Sequence, residues 1–294
     1  MMKKLFAVLL AVLMCFTLVA CNKDSGTTEG GDTPAGGKVF YLNFKPESDA
    51  AWQELAKKYT EETGVEVKVV TAASGNYDVS LQNELGKATP ELTMFQMTND
   101  GAVATYGDYA MDLAGTDVYN EMTTHDFDLV KDGKTLGIGY CYECFGIIVN
   151  KALLAKAGHD ISEITNFETL KAVAEDIHAR AAELGFDAFT NAGLADSSSW
   201  RFSGHLITLP LHYEGITSKT EIKGTYLDEY KNIWDLYLNN SATDPVANNE
   251  AGDGAEAEFG EGKAVFYQNG SWEYSALTAN YGMNADDLQM IPIY

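Results

Sequence analysis

Aromatic, amide and carboxylate side chains recur where the apolar runs of this chain end. Phe44 and Lys45 stand at the end of the run VFYLNF, and Trp272 follows the run AVFYQNG. A pyranose presents C–H patches that pack on aromatic faces and hydroxyl groups that need both donors and acceptors. The mixture therefore predicts a sugar site. The candidate ligand contacts are Phe44, Lys45, Glu47, Tyr77, Asn99, Glu143, Trp200, Arg201 and Trp272.

Alternating strand and helix patterns must position these side chains. Apolar runs at 39–44, 65–70 and 92–97 predict strands, and helical spacing of apolar residues separates them. The alternation resumes after residue 144. This order predicts two α/β lobes with parallel sheets, and the chain passes from the first lobe to the second near residues 140–145. Ligands of such sheets bind beyond the carboxyl ends of the strands. Each aromatic could instead serve lobe packing, and the shared placement at strand ends favours binding.

Motifs for catalysis, cofactors and metals are missing from the sequence. The histidines have no metal-ligand spacing, and neither a nucleophile elbow nor a phosphate-binding glycine loop occurs. Cys141 and Cys144 form a C-x-x-C pair without a second pair to complete a zinc site, and whether they form a disulfide stays open. We therefore expect no enzyme activity, no cofactor and no metal. A glycosidase remains an alternative, because paired carboxylates need proximity in space and not in sequence.

The charge balance restricts the partners. The formal net charge is −23, from 43 acidic against 20 basic residues. Such a surface opposes binding to phosphate backbones, so we expect no nucleic-acid partner.

The N-terminus predicts export. Lys3 and Lys4 precede an apolar run to Ala20 that is shorter than the about 20 residues of a membrane span. The sequence LVAC resembles the lipobox of bacterial lipoproteins, in which the signal is cut before the cysteine and Cys21 carries the lipid; the alternative is an ordinary signal peptide. A polar, Gly- and Thr-rich stretch follows and predicts a flexible tether.

Several longer stretches resemble one protein family. They are YLNFKPESDAAWQELAKKYTEETGVEVKVV, ECFGIIVNKALLAKAG, NFETLKAVAEDI and FGEGKAVFYQNGSWEY, in this order. Together they resemble the extracellular solute-binding proteins of bacterial ABC transporters, in the carbohydrate class related to maltose-binding protein. The resemblance covers essentially the whole mature chain.

The resemblance implies a two-lobe, periplasmic-binding-protein-like α/β architecture (type II, Venus-flytrap) with a hinge near YECFG. It implies that Trp272 stacks on the sugar, that Glu143 binds hydroxyl groups, and that Lys45, Asn99 and Trp200 contribute further contacts. The closed state would meet the permease subunits of the transporter. Members usually continue beyond LQMIPIY with a return to the first lobe, so we expect that this chain lacks the return segment.

The sequence thus predicts a monomeric, lipid-anchored receptor on the outer face of the cytoplasmic membrane. It would bind a mono- or oligosaccharide for an ABC importer. The predicted segments are a signal peptide (1–20), a lipidated tether (21–37) and lobes at 38–142 and 143–294. The alternatives are a polyamine or peptide ligand, a surface glycosidase, and a sensor that signals ligand occupancy. The sequence does not name the sugar, its length or its linkage.

Overall fold

The computed structural model describes residues 37–73, 75–190, 194, 199–215, 221–242 and 252–294, without the side chains of 252 and 253. The predicted signal peptide, the lipidation site Cys21 and all but the last residue of the predicted tether lie outside these ranges and stay predictions. The described part is α/β, as expected. Among the described residues, no helix is long and apolar enough to cross a membrane.

The first lobe is built on two parallel strands joined by a helix. Strands β1 (Lys38–Asn43) and β2 (Glu66–Thr71) pair in register from Lys38 with Glu66 to Asn43 with Thr71. Helix α1 (Asp49–Thr63) crosses between them and ends at Gly64, whose φ of 73° lies in the left-handed region that favours glycine.

The prediction of a third strand at 92–97 is wrong in extent, because only one residue of this segment pairs as a strand. A single bridge joins Met94 to Tyr41, in parallel orientation. The hydroxyl of Thr93 accepts the amide hydrogen bond of Phe40 at 2.7 Å and donates to the carbonyl oxygen of Phe40 at 3.0 Å. Backbone bonds join Met94 to Phe40 and Leu42, but the amide of Phe40 is bonded to the Thr93 side chain, so the backbone ladder does not extend beyond this point.

The rest of the first lobe packs against this small sheet. Helix α2 (Tyr77–Leu85) buries Leu81 and Leu85 beside Leu42. The chain continues through helix α3 (Asp100–Tyr106), helix α4 (Asp117–Asn120) and an antiparallel hairpin of β3 (Leu129–Lys131) and β4 (Lys134–Gly137).

The second lobe has a four-stranded mixed sheet, where the sequence predicted a parallel one. Its strand order is β6 (Asp187–Phe189), β7 (Ala264–Gly270), β5 (Phe145–Asn150) and β8 (Leu288–Ile291). Strands β6 and β7 are parallel, whereas β5 is antiparallel to both β7 and β8. The apolar runs are buried on both faces of the sheet in either orientation, so their composition does not distinguish the two.

Helices cover both faces of this sheet. Ile147 and Val149 of β5 belong to one apolar cluster, and Ile148 between them belongs to another. The helices are α5 (Lys151–Lys156), α6 (Phe167–Ala179), α7 (Ala181–Leu184), a π-helix (Arg201–Leu206), α8 (Thr208–Tyr213), α9 (Leu227–Asn239), α10 (Gly252–Gly260) and α11 (Glu273–Ala279).

Candidate functional site

An ammonium group between two carboxylates lies where the lobes meet. Lys45 Nζ is 2.5 Å from Glu143 Oε2 and 3.4 Å from Glu47 Oε1. Asn43 fixes the turn after β1, because its side chain donates to the carbonyl oxygen of Lys45 and accepts from the amide of Lys45. Lys45 and Glu47 come from the first lobe and Glu143 from the crossover, so the structure joins residues about a hundred positions apart in the chain.

Trp272 lies on the second-lobe side of this group. Lys45 Nζ is 5.4 Å from the centroid of the Trp272 ring, within the range of a cation–π contact. The ring packs directly on Gly270, the last residue of β7, where a Cβ atom would come within 2.1 Å of the ring. Ser271 then ties the turn to the crossover, because its amide donates to the carbonyl oxygen of Cys144 at 2.8 Å.

Other aromatic rings extend the surface from Trp272. The Trp200 ring centroid is 6.1 Å and the His205 centroid 5.8 Å from that of Trp272. His205 stacks on Phe145 with centroids 4.0 Å apart and planes at 2°. The cluster of Trp272, Trp200, Phe145 and the buried His205 is here called the aromatic wall, and its accessible rings are suited to the C–H face of a ring-shaped ligand.

His205 is neutral at physiological pH. Burial, followed by the positive charge of Arg201, lowers the pKa of His205 to about 4, against the opposing hydrogen bond to Gln268. Gln268 Nε2 lies 2.8 Å from His205 Nδ1, so this ring nitrogen accepts a hydrogen bond from the amide. The imidazole therefore contributes a flat, uncharged ring to the aromatic wall.

Phe44 and Tyr77 meet on the first-lobe side, with ring centroids 5.2 Å apart. The two differ in exposure: Phe44 is 37% exposed, whereas Tyr77 is buried at 6%. The hydroxyl of Tyr77 accepts a hydrogen bond from the amide of Gln96 at 2.6 Å, and burial raises its pKa to about 12. The structure thus leaves Phe44 accessible and places Tyr77 behind it.

Arg201 and Asn99 make local structural contacts. Arg201 is buried, and its guanidinium carbon lies 4.4 Å from the centroid of the Trp200 ring. Asn99 caps helix α3, because its side-chain oxygen accepts from the amide of Ala102 at 3.0 Å. The structure therefore brings Lys45, Glu47, Glu143, Trp272, Trp200 and Phe44 into one region and gives Tyr77, Arg201 and Asn99 local structural contacts.

Gln96 and the aromatic partners Phe145 and His205 were missing from the predicted site. Gln96 Oε1 accepts from the amide of Phe44 at 2.7 Å, and Gln96 Nε2 donates to the hydroxyl of Tyr140 at 2.7 Å. It joins the end of β1 to the crossover. Its position near the end of the third apolar run was a usable signal, whereas nothing in the local sequence marks His205.

Thiols and acids at the junction form no metal site in the described part of the chain. Cys141 and Cys144 are exposed and unpaired. Over the described residues, no cluster of three or more His, Cys, Asp or Glu side chains could hold a metal ion.

The sequence profile of the bacterial extracellular solute-binding protein family matches residues 54–293. No protein with a curated description matches the chain in sequence.

Solved structures of binding proteins share the fold. The GacH receptor of Streptomyces glaucescens GLA.O, solved without ligand and with acarbose, has a TM-score of 0.63 and 23% identity over 87% of this chain and 66% of its own. RafE in complex with raffinose has a TM-score of 0.67 and 16% identity, over 87% and 68%. An ABC transporter solute-binding protein from Agrobacterium radiobacter K84 in complex with ribitol has a TM-score of 0.64 and 16% identity, over 88% and 67%. The chain spans about two thirds of the length of these proteins.

Proposed function

Because the chain belongs to the bacterial extracellular solute-binding protein family, we propose that it binds a mono- or oligosaccharide in the cleft between its two lobes. The observation that carries the proposal is the meeting of Lys45 and Glu143 beside the ring of Trp272. Both lobes contribute to this group, so a ligand bound there would contact both. The resemblance in fold to proteins solved with acarbose, raffinose and ribitol supports a polyhydroxyl ligand.

The residue types divide the recognition of a sugar into two parts. Trp272 and Trp200 supply faces for the C–H patches of a pyranose. Lys45 donates hydrogen bonds, while Glu47 and Glu143 accept them from hydroxyl groups, and bonds to charged partners are the stronger ones. The buried, neutral imidazole of His205 packs against Phe145 and places no charge beneath these rings.

Closure of the lobes would couple binding to transport. Contacts from both sides of the cleft stabilise the closed form, so the ligand shifts the equilibrium between open and closed states. The crossover that carries Glu143 serves as the hinge. In the closed form, the protein delivers the saccharide to the permease subunits of an ABC importer, and it makes and breaks no bonds itself.

The remaining parts of the proposal extend the sequence predictions. The protein is exported by the signal at 1–20, held at the outer face of the cytoplasmic membrane by a lipid on Cys21, and monomeric. Metabolic labelling with a palmitate analogue tests the anchor. A Cys21→Ser variant should lose the label and leave the membrane fraction, and a variant that keeps both would exclude this anchor.

A thermal-shift screen tests the ligand class. Raffinose, acarbose, ribitol and mannitol are compared with spermidine, amino acids and short peptides, since a ligand of the folded state raises the melting temperature. We expect shifts with saccharides or polyols and none with the others. A shift confined to spermidine or peptides would contradict the proposed ligand, and release of shorter sugars from raffinose during incubation would favour a glycosidase.

A further inference from the structure

One face of the second-lobe sheet carries the rings of the aromatic wall at its end. In the antiparallel pairing of β5 and β7, Phe145 lies opposite Gly270. Residues that lie opposite each other project from the same face of a sheet, and so do residues two apart in one strand. Phe145 and Gln268 therefore project from the same face as Gly270, on which the ring of Trp272 packs.

His205 lies at the centre of this surface. Its ring centroid is 4.0 Å from that of Phe145, 4.8 Å from that of Trp200 and 5.8 Å from that of Trp272. These separations lie in the range of direct contact between aromatic rings. His205 is buried, whereas Phe145 and Trp200 are 39% and 40% exposed. The imidazole thus lies beneath rings that a ligand can reach, and it packs against all three of them.

A buried amide fixes the imidazole in one state. Gln268 Nε2 lies 2.8 Å from His205 Nδ1, and both side chains are buried. An amide nitrogen can only donate, so Nδ1 accepts and carries no proton, and the single N–H of a neutral imidazole is then at Nε2. Because the ring has one bonding direction toward Gln268, its rotation is fixed, and so is the plane that stacks on Phe145 within 2° of parallel.

Phe145 lies on the same side of the chain as the charged group. The pairing of β5 with β7 continues one step beyond Phe145, because the amide of Ser271 donates to the carbonyl oxygen of Cys144 at 2.8 Å. Glu143 stands two positions before Phe145, and side chains two apart in an extended chain lie on the same side. A sugar that binds the Glu143 carboxylate through a hydroxyl group would therefore have the ring of Phe145 within reach.

We propose that His205 is a positioning residue of the saccharide site. Gln268 holds its imidazole in the Nε2–H tautomer, and the imidazole sets the spacing and tilt of Phe145, Trp200 and Trp272. Phe145 is thereby a third ring that contacts the ligand. This inference deepens the proposed function and rests on it. His205 and Gln268 act through the rings and do not touch the sugar themselves.

Nitrogen-15 NMR of the histidine side chains tests the tautomer in the ligand-free protein. At pH 7, His205 should carry a proton on Nε2 and none on Nδ1, and its signals are those that disappear in His205→Gln. In Gln268→Glu, the carboxylate can only accept, so Nδ1 should become protonated. A proton on Nδ1 in the wild type, or an unaltered Nδ1 signal in Gln268→Glu, would overturn the proposal.

Calorimetric affinity for the saccharide with the largest thermal shift tests the positioning role. His205→Ala removes the ring beneath the wall and should weaken binding about tenfold, as expected from the loss of an aromatic contact. His212→Ala is the matched control, because it removes an exposed histidine ring from α8, and it should bind as the wild type does. Wild-type affinity in His205→Ala, or an equal loss in both variants, would overturn the role.

A double variant separates positioning from a general loss of stability. His205→Phe combined with Gln268→Leu keeps a flat ring against Phe145 and removes both members of the hydrogen bond, a change that is close to neutral when the shapes are similar. The double variant should bind within about threefold of the wild type. Gln268→Leu alone leaves the imidazole free to turn and should weaken binding severalfold.

The opposite results are equally decisive. A double variant that binds as weakly as His205→Ala would overturn the role of the ring, and wild-type affinity in Gln268→Leu would overturn the role of the amide. If His205→Ala does not fold, the comparison of Gln268→Leu with the double variant takes its place.

Phe145→Ala tests the third ring. It should weaken saccharide binding about tenfold and leave the His205 tautomer unchanged, because Gln268 sets the tautomer. Unchanged affinity would overturn Phe145 as a ligand contact. If no saccharide binds the wild type, the proposed function fails and the purpose of the positioning fails with it, whereas NMR of the ligand-free protein decides the tautomer separately.

Discussion

The contact between Gly270 and Trp272 can be tested by adding one methyl group. A Cβ atom at position 270 would lie 2.1 Å from Cζ3, 2.2 Å from Cη2 and 2.4 Å from Cε3 of the Trp272 ring. Ordinary contacts between carbon atoms are about 3.5–4.0 Å, so the ring must leave its place in Gly270→Ala. The φ angle of Gly270 is not positive, so the backbone at this position can accommodate alanine without strain.

The expected cost follows from this overlap. Overpacking typically costs about 1–3 kcal/mol. Trp272 is half-buried and can swing toward solvent, which places the expected loss of unfolding free energy near the lower end, about 1–2 kcal/mol. In a Trp272→Ala background there is no ring to displace, so Gly270→Ala should cost almost nothing there.

Urea unfolding of the wild type, both single variants and the double variant measures this coupling as a double-mutant cycle. Gly204→Ala is the matched control. Its nearest neighbour would be Trp200 Cβ at 4.0 Å, so the added methyl group meets no obstacle and the change should be neutral or slightly stabilising. Equal costs of Gly270→Ala in both backgrounds would refute the contact.

Further predictions concern charge. The pKa of Glu273 is raised from 4.5 to about 7, so its ionisation opposes folding as pH rises between these values. In urea unfolding, the free energy of unfolding of Glu273→Gln should therefore increase by about 3 kcal/mol relative to that of the wild type between pH 4.5 and pH 8. The pKa of His205 is lowered from 6.5 to about 4, so the stability it contributes is lost as pH falls through this window. As pH falls from 7 to 4, the free energy of unfolding of His205→Gln should therefore increase by about 3 kcal/mol relative to that of the wild type in the same assay. The side chains of Lys45 and Glu143 are only 17% and 33% exposed, so Lys45→Met leaves two partly buried carboxylates without their cation and should cost about 1–3 kcal/mol of stability. It should also weaken saccharide binding about tenfold or more in calorimetry. Stability that depends on pH in the same way in variant and wild type would contradict the first two expectations. Unchanged saccharide affinity of Lys45→Met would contradict the third.

The placement of residues at strand ends was the most informative sequence signal. Lys45, Glu143 and Trp272 follow or precede different strands, and the structure brings them together. This proximity arises because the ends of β1, β5 and β7, three apolar runs that are largely buried, meet at the same junction.

The direction in which each side chain points could not be predicted from the sequence. Tyr77 follows a strand like Phe44, yet it points into the first lobe because Leu42, Leu81 and Gln96 provide its partners. The dipeptide Asn269-Gly270 is a frequent turn sequence, but here Asn269 is buried in β7 and its side chain binds Glu273. Such choices depend on packing between segments distant in sequence.

The shifted pKa values of Glu273 and His205 could not be predicted from the sequence either. Acidic residues are frequent in this chain, and nothing near Glu273 marks it among the 43. Its raised pKa results from burial and from the approach of Glu256 on another helix. The same holds for His205, whose low pKa depends on burial and on Arg201.

Calorimetric titration of Trp272→Ala with the saccharide selected by the thermal-shift screen tests the central claim most directly. Tyr59→Ala, which removes an exposed aromatic ring on α1, is the control and should bind as the wild type does. Loss of a central stacking residue should weaken binding by about 2–4 kcal/mol, or roughly 30- to 1,000-fold. Affinity in Trp272→Ala equal to that of the wild type would contradict a saccharide site at the aromatic wall.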